Sequence, residues 1–186
     1  RNQITDIHAL SGLSTLKELY LRDNKIADVS ALSDLTSITY LNLATNQVTD
    51  ISAIANLQAL KTLYLYENRI ADVSVLSGLE NLETLWLWGN HIGDVTPLSG
   101  LTNLTSLELG DNRITDITAL SGLKNLTYLT LAKNAISDIS VLSSLTKLEE
   151  VRLWTNRITD ILSLSDLTNL SLLNLLDNNL NPDAYE

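Results

Sequence analysis

Apolar residues recur along this chain in a pattern that neither one helix nor one strand explains. From Asn24 the stretch NKIADVSALSDLTSITYLNLAT places Ile26, Val29, Leu32, Leu35, Ile38, Leu41 and Leu43 two or three residues apart. The same seven columns hold Ile, Leu or Val each time the unit returns. It returns every 22 residues, marked by Asn2, Asn24, Asn46, Asn68, Asn90, Asn112, Asn134, Asn156 and Asn178. A fixed period of this size signals stacked units, none of which can bury its apolar side without its neighbours. Eight units fit in residues 1–177, and residues 178–186 are expected to begin a ninth repeat or a truncated C-terminal cap.

Within each unit the residues before Asn alternate as LxxLxL, for example Leu82, Leu85 and Leu87. That period predicts a short strand, and equivalent strands of successive units align as a parallel sheet. The stretch that follows, of the type SALSDL from Ser30, is too short for a long helix and fits one 3₁₀ or α turn.

The whole pattern, NxIxDIxxLxxLxxLxxLxL, is visible as NRITDITALSGLKNLTYLTL from Asn112. It resembles the 22-residue leucine-rich repeats of bacterial internalins and internalin-like surface proteins, over essentially the full chain. The resemblance implies an α/β repeat solenoid: a horseshoe with a parallel β-sheet on its concave side and short 3₁₀/α turns on its convex side. It also implies a protein-binding module at a bacterial surface or outside the cell. Adhesin-type internalins carry a helical N-terminal cap and a following immunoglobulin-like domain, and neither pattern occurs here. The same repeat type is similar to that of phosphatase-regulating leucine-rich proteins of eukaryotes, which keeps an intracellular regulatory scaffold as the alternative. An engineered repeat binder is a further one.

Composition narrows the chemistry. The chain has 186 residues, 45% of them apolar, yet no Phe, Met or Cys. One aliphatic packing environment used repeatedly accounts for that bias. Without Cys there is no disulfide, thiolate metal site or thiol nucleophile. No run of about 18 apolar residues exists to span a bilayer, so membrane insertion is not expected. A chain that starts at Arg1 reads as a mature product or an excised fragment. The net charge of −10 disfavours nucleic acid, which needs a basic stripe.

Much of that charge is architectural. Asp6, Asp28, Asp50, Asp72, Asp94, Asp116, Asp138 and Asp160 form one column, and they account for all but two of the ten net negative charges. Each is expected to cap the turn that follows it. A row of carboxylates one coil apart lacks the convergent oxygens that calcium requires. The Asn column is expected to satisfy backbone groups inside the turns. His91 beside Asp94 and the isolated His8 read as solvated substitutions. Asn103, Asn125 and Asn169 head glycosylation triplets but sit in the LTNLT consensus, so repetition explains them. No Ser or Thr is placed with a base and an orienting group, and no phosphate loop occurs, so neither an enzyme nor a cofactor is expected.

The strand positions that alternate with the inward leucines point out of the concave sheet. Three such columns hold all three Trp and five of the six Tyr, the exception being Tyr185. Strand propensity enriches aromatics somewhat, but the other variable columns of the repeats contain none. Tyr64 and Tyr66 fall one coil from Trp86 and Trp88 in the same columns, which predicts a merged, exposed patch. The ligand-binding set expected from these columns is Tyr20, Tyr40, Tyr64, Tyr66, Trp86, Trp88, Glu108, Tyr128, Arg152 and Trp154. Aromatic anchors with a charged rim suit a protein or peptide partner, and stacking on a carbohydrate is the competing reading.

Overall fold

The computed structural model of the chain describes residues 2–181. Residues 182–186 of the expected terminal segment, Tyr185 included, lie outside the described residues. Eight strands form one sheet: β1 Glu18–Tyr20, β2 Tyr40–Asn42, β3 Thr62–Tyr64, β4 Thr84–Trp86, β5 Ser106–Glu108, β6 Tyr128–Thr130, β7 Glu150–Arg152 and β8 Leu172–Asn174. They pair in chain order, all parallel. The register never slips: Leu63 faces Leu85, and Leu85 faces Leu107, each 22 residues on. Constant repeat length keeps identical columns in line, because one extra residue would flip every side chain to the other face.

The opposite side of each coil is a 3₁₀ segment of three to five residues, such as Ser30–Leu32 and Ser74–Gly78. Between sheet and turns lies an aliphatic core. Leu63, Leu85, Leu107 and Leu129 have no exposure, and neither do Leu57, Leu79, Leu101 and Leu123 of the convex column. The same columns open at the ends of the stack, where Leu13 is 47% and Leu173 42% exposed. A coil has cover only from the coils beside it.

Two devices link successive coils. The residue before each Asn from Asn24 to Asn178 turns the chain out of the strand in the left-handed region: Asp23, Thr45, Glu67, Asp111, Lys133, Thr155 and Asp177 have φ between 51° and 58°, and Gly89 has 67°. The following Asn then points inward. Asn90 shows what that achieves, because its Oδ1 accepts the N–H of Ile70, one coil back, at 2.9 Å. Its Nδ2 donates to the carbonyls of Leu65 and Leu87, both at 3.0 Å. Asn46, Asn68, Asn112 and Asn134 repeat this arrangement. The amides thus satisfy strand-end carbonyls and loop N–H groups that lie outside the sheet ladder.

The Asp column differs in detail from the expected helix cap. Asp28 Oδ1 accepts the N–H of Ser30, two residues on, at 2.8 Å, whereas the residue flanking the 3₁₀ turn is Val29, which offers no side-chain cap. The local ring is an Asx turn, repeated from Asp6 to Asp160. That bond, together with one from the Ser30 hydroxyl, holds the Asp28 carboxyl below the usual carboxylate range. His91 does not turn to Asp94; its Nδ1 lies 3.0 Å from the carbonyl of Asn90. Asn103, Asn125 and Asn169 donate to carbonyls of the preceding coil at 2.9–3.0 Å, so these amides work as a second, convex ladder.

Candidate functional site on the concave face

Because β1–β8 are three residues long and in strict register, each turns two side chains toward the concave side, and the residue two beyond the strand adds a third. All ten residues expected from the sequence occupy these columns. They do not form one uniform patch. The structure resolves them into an aromatic run, a polar network and an indole pair.

The aromatic run crosses β1 to β4 on a diagonal. Tyr20 and Tyr40 lie 4.6 Å apart between ring centroids, Tyr40 and Tyr64 5.6 Å apart and edge-on, and Tyr64 and Trp86 4.6 Å apart. Tyr66 closes on Tyr64 and Trp86 at 6.4 and 6.2 Å. Offset and edge-on contacts of this kind are worth about 0.5–1.5 kcal/mol each beyond burial. They also change the expected picture of a freely exposed patch, since only Tyr20, at 62%, is fully exposed and the other rings are half-buried against one another. Burial pushes the Tyr64 and Tyr66 hydroxyls above their ordinary pKa. A hydrogen bond to Glu18 does the same for Tyr20. Trp86 donates its indole N–H to Ser106 at 3.1 Å, which fixes the ring's orientation.

The polar network spans β5 to β7. Tyr128 donates its hydroxyl to Glu108 at 2.7 Å and receives Thr130 at 3.2 Å and the Arg152 guanidinium. Arg152 also pairs with Glu150 at 3.2 Å and stacks 5.1 Å over the Tyr128 ring. Burial, and next the bond to Glu108, raises the Tyr128 pKa. Every polar group in the network has a partner, so it presents fixed donors and acceptors to a ligand at little further ordering cost.

The third column holds Arg22, Ala44, Tyr66, Trp88, Gly110, Ala132, Trp154 and Leu176. Its small members leave two gaps. Across the first, Arg22 reaches over Ala44 to lie 5.4 Å above the Tyr66 ring. In the second, Gly110 makes room for the Trp88 indole, which lies directly over it: a Cβ there would sit 2.5 Å from Trp88 Cδ1. Lys133 reaches in from the rim, its Nζ 5.2 Å from the Trp154 ring and 6.0 Å from that of Trp88. Sequence reasoning missed Lys133, Ser106 and Gly110. Lys133 belongs to the left-handed turn column, which reads as scaffold, and its only signal was to be the one cation in that column from Asp23 to Asp177.

Among the described residues no cluster of His, Asp and Glu could hold a metal ion. No helix among them is long and apolar enough to cross a membrane.

Comparison with known proteins matches a family model that spans two leucine-rich repeats, at four places: residues 14–56, 58–100, 102–144 and 124–166. No curated protein matches the chain at a significant level. Solved structures do. The chain is 45% identical to internalin C2 from Listeria monocytogenes, over 92% of its own length and 77% of that chain, with a TM-score of 0.87. It is 37% identical to an internalin, inlF, from the same organism at the same TM-score, covering 98% of its own length but spanning only 60% of that longer chain. The ectodomain of the plant membrane receptor kinase GASSHO1/SCHENGEN3 from Arabidopsis thaliana, solved in complex with CASPARIAN STRIP INTEGRITY FACTOR 2, is 26% identical with a TM-score of 0.80. That match covers 95% of this chain and 23% of the receptor. With the repeat model matched over most of its length and internalins sharing both its fold and its sequence, the chain belongs to the leucine-rich-repeat family and is an internalin-like member of it.

Proposed function

We propose that the chain is a non-catalytic binding module that recognises a protein or peptide on its concave face, as part of an adhesin-like protein at a bacterial surface. Leucine-rich-repeat proteins are typically non-catalytic and bind proteins, and the internalin likeness supports the bacterial setting. One observation carries the reading: eight of the chain's nine aromatic residues lie in the concave columns, where five of them pack ring against ring beside a satisfied charged network. Interfaces are built from such aromatic anchors inside a polar rim. Tyr64 and Trp86 are the centre of the site, flanked by Tyr20, Tyr40, Tyr66 and Trp88 on one side and by Glu108, Tyr128, Arg152 and Trp154 on the other. Stacking of a carbohydrate on the same rings is the competing reading, and the two are separated by experiment.

The test is capture from an array of purified protein ectodomains, with a glycan array beside it, by the native chain and by Trp86→Ala/Trp88→Ala. Central anchors contribute about 2 kcal/mol or more each, so the double variant should lose every protein hit while its circular dichroism stays native. Arg69→Ala and Arg113→Ala, exposed in the loop column, should bind as the native chain does. Retention of the hits by the double variant would refute the reading, and hits confined to glycans would replace the protein partner with a sugar.

A further inference from the structure

The gap between Trp88 and Trp154 has the construction of a subsite. Its floor is Ala132, fully buried and offering one methyl group, while Gly110 lies beneath the Trp88 indole. Its walls are two indoles, one held in place by the absence of a Cβ at Gly110. Lys133 supplies the charge from a stem that the backbone pins. Its φ is 53°, and its N–H donates to the carbonyl of Trp154 at 2.8 Å. Of the three cations over the concave face, Arg22 pairs with Asp23 at 3.4 Å and Arg152 with Glu150 at 3.2 Å. Lys133 alone makes no ion pair among the described residues.

We infer that this slot is an anion subsite in which Lys133, held between Trp88 and Trp154, takes a single carboxylate of the protein partner. The inference rests on the concave face being the partner surface. Ring faces attract an ammonium through their quadrupole but carry no formal charge, so the cation's charge remains unmet. Lys133 is exposed, and a carboxylate entering between the two indoles, above Ala132, makes a charge-assisted hydrogen bond to its ammonium. The rest of the surface limits the anion to one group: Glu108 lies in the neighbouring column, Asp111 one coil back in the turn column, and the chain's net charge of −10 repels a polyanion. The gap bridged by Arg22 is the internal contrast, because there Asp23 already meets the charge.

The experiment needs no identified partner. The three indole N–H signals of the ¹⁵N-labelled chain are followed while N-acetylglutamate amide, carrying a side-chain carboxylate, or N-acetylalanine, carrying a chain-end carboxylate, is added at constant ionic strength. The neutral N-acetylglutamine amide is the control. Saturable shifts are expected at Trp88 and Trp154 and not at Trp86, whose N–H is engaged by Ser106. The stronger of the two carboxylates identifies whether a side chain or a chain end is taken. Lys133→Met should bind about tenfold more weakly or not at all, the loss of one charge-assisted bond, and Lys133→Arg should restore binding. Shifts that do not saturate, that the neutral amide reproduces, or that persist in Lys133→Met would overturn the subsite. That outcome is separate from the loss or retention of protein capture by the Trp86/Trp88 double variant, which judges the partner surface itself.

Discussion

Replacing Asn90 by Ala should be among the more damaging single changes in this chain, and the hydrogen bonds say by how much. Asn90 is 5% exposed and makes three close bonds to main chain: Ile70 N–H, Leu65 C=O and Leu87 C=O. The two carbonyls keep a second amide each, Leu65 from Asn68 at 2.9 Å and Leu87 from Asn112 at 3.0 Å. The Ile70 N–H keeps no bond that the neighbouring coils supply. One orphaned buried donor costs about 1–3 kcal/mol, and two weakened acceptors add about 0.5–1 kcal/mol each. The sum is about 2–5 kcal/mol, a large share of an ordinary domain stability of about 5–15 kcal/mol. Asn90→Asp should do no better, since it keeps the acceptor but turns a carboxylate toward the two carbonyls. Asn103→Ala is the matched control: the same residue type in the convex ladder, exposed, with one bond to Glu80 at 2.9 Å, and it should cost less than about 1 kcal/mol. Urea melts followed by circular dichroism give the difference, and amide exchange gives the place, because Ile70 should lose protection ahead of its neighbours. Equal losses for Asn90→Ala and Asn103→Ala with Ile70 still protected would refute the ladder as a source of stability.

Position along the stack should scale the cost of core deletions: Leu107→Ala, fully buried, should lose about 2–5 kcal/mol, whereas Leu173→Ala, in the same column but 42% exposed, should lose clearly less in the same urea melt. Gly89→Ala should cost about 1 kcal/mol by backbone strain alone, since a Cβ at that φ of 67° meets only Glu67 atoms at an ordinary 3.5 Å; an unchanged melting temperature would remove strain from the account of the turn column. Acid should weaken the fold through the Asp turns. Backbone and hydroxyl hydrogen bonds lower the pKa of Asp28, Asp72, Asp94, Asp116 and Asp138 in the folded chain, so their contribution is complete above the unfolded carboxylate value of about 3.9 and is lost as pH falls below it. Melting temperature should hold level down to about pH 5 and drop below about pH 4, and Asp72→Asn, which keeps the acceptor but does not titrate, should lose less there than the native chain.

The fold is legible in the repeat alone, because a solenoid turns long-range structure into local repetition. A 22-residue period with seven aliphatic columns leaves one way to bury Leu85 and Leu107, which is to stack them in register, and Asn recurring before every loop names the group that ties the coils. Which columns face the concave side was equally legible, since alternation along a strand is a matter of period two. What the sequence left undecided lies between coils. The Asp column read as a helix cap became an Asx turn, because which N–H an aspartate reaches depends on where the 3₁₀ turn begins. The aromatic patch read as exposed became a run of rings half-buried on one another, because ring contacts such as Tyr20 with Tyr40 join different columns on a diagonal. Lys133 was invisible as a site residue for the same reason: its left-handed backbone aims it across the rim at two indoles that stand two coils before it and one coil after it in sequence. Packing within a column follows from spacing, whereas contacts across columns depend on rotamers and backbone turns that only the assembled coils select.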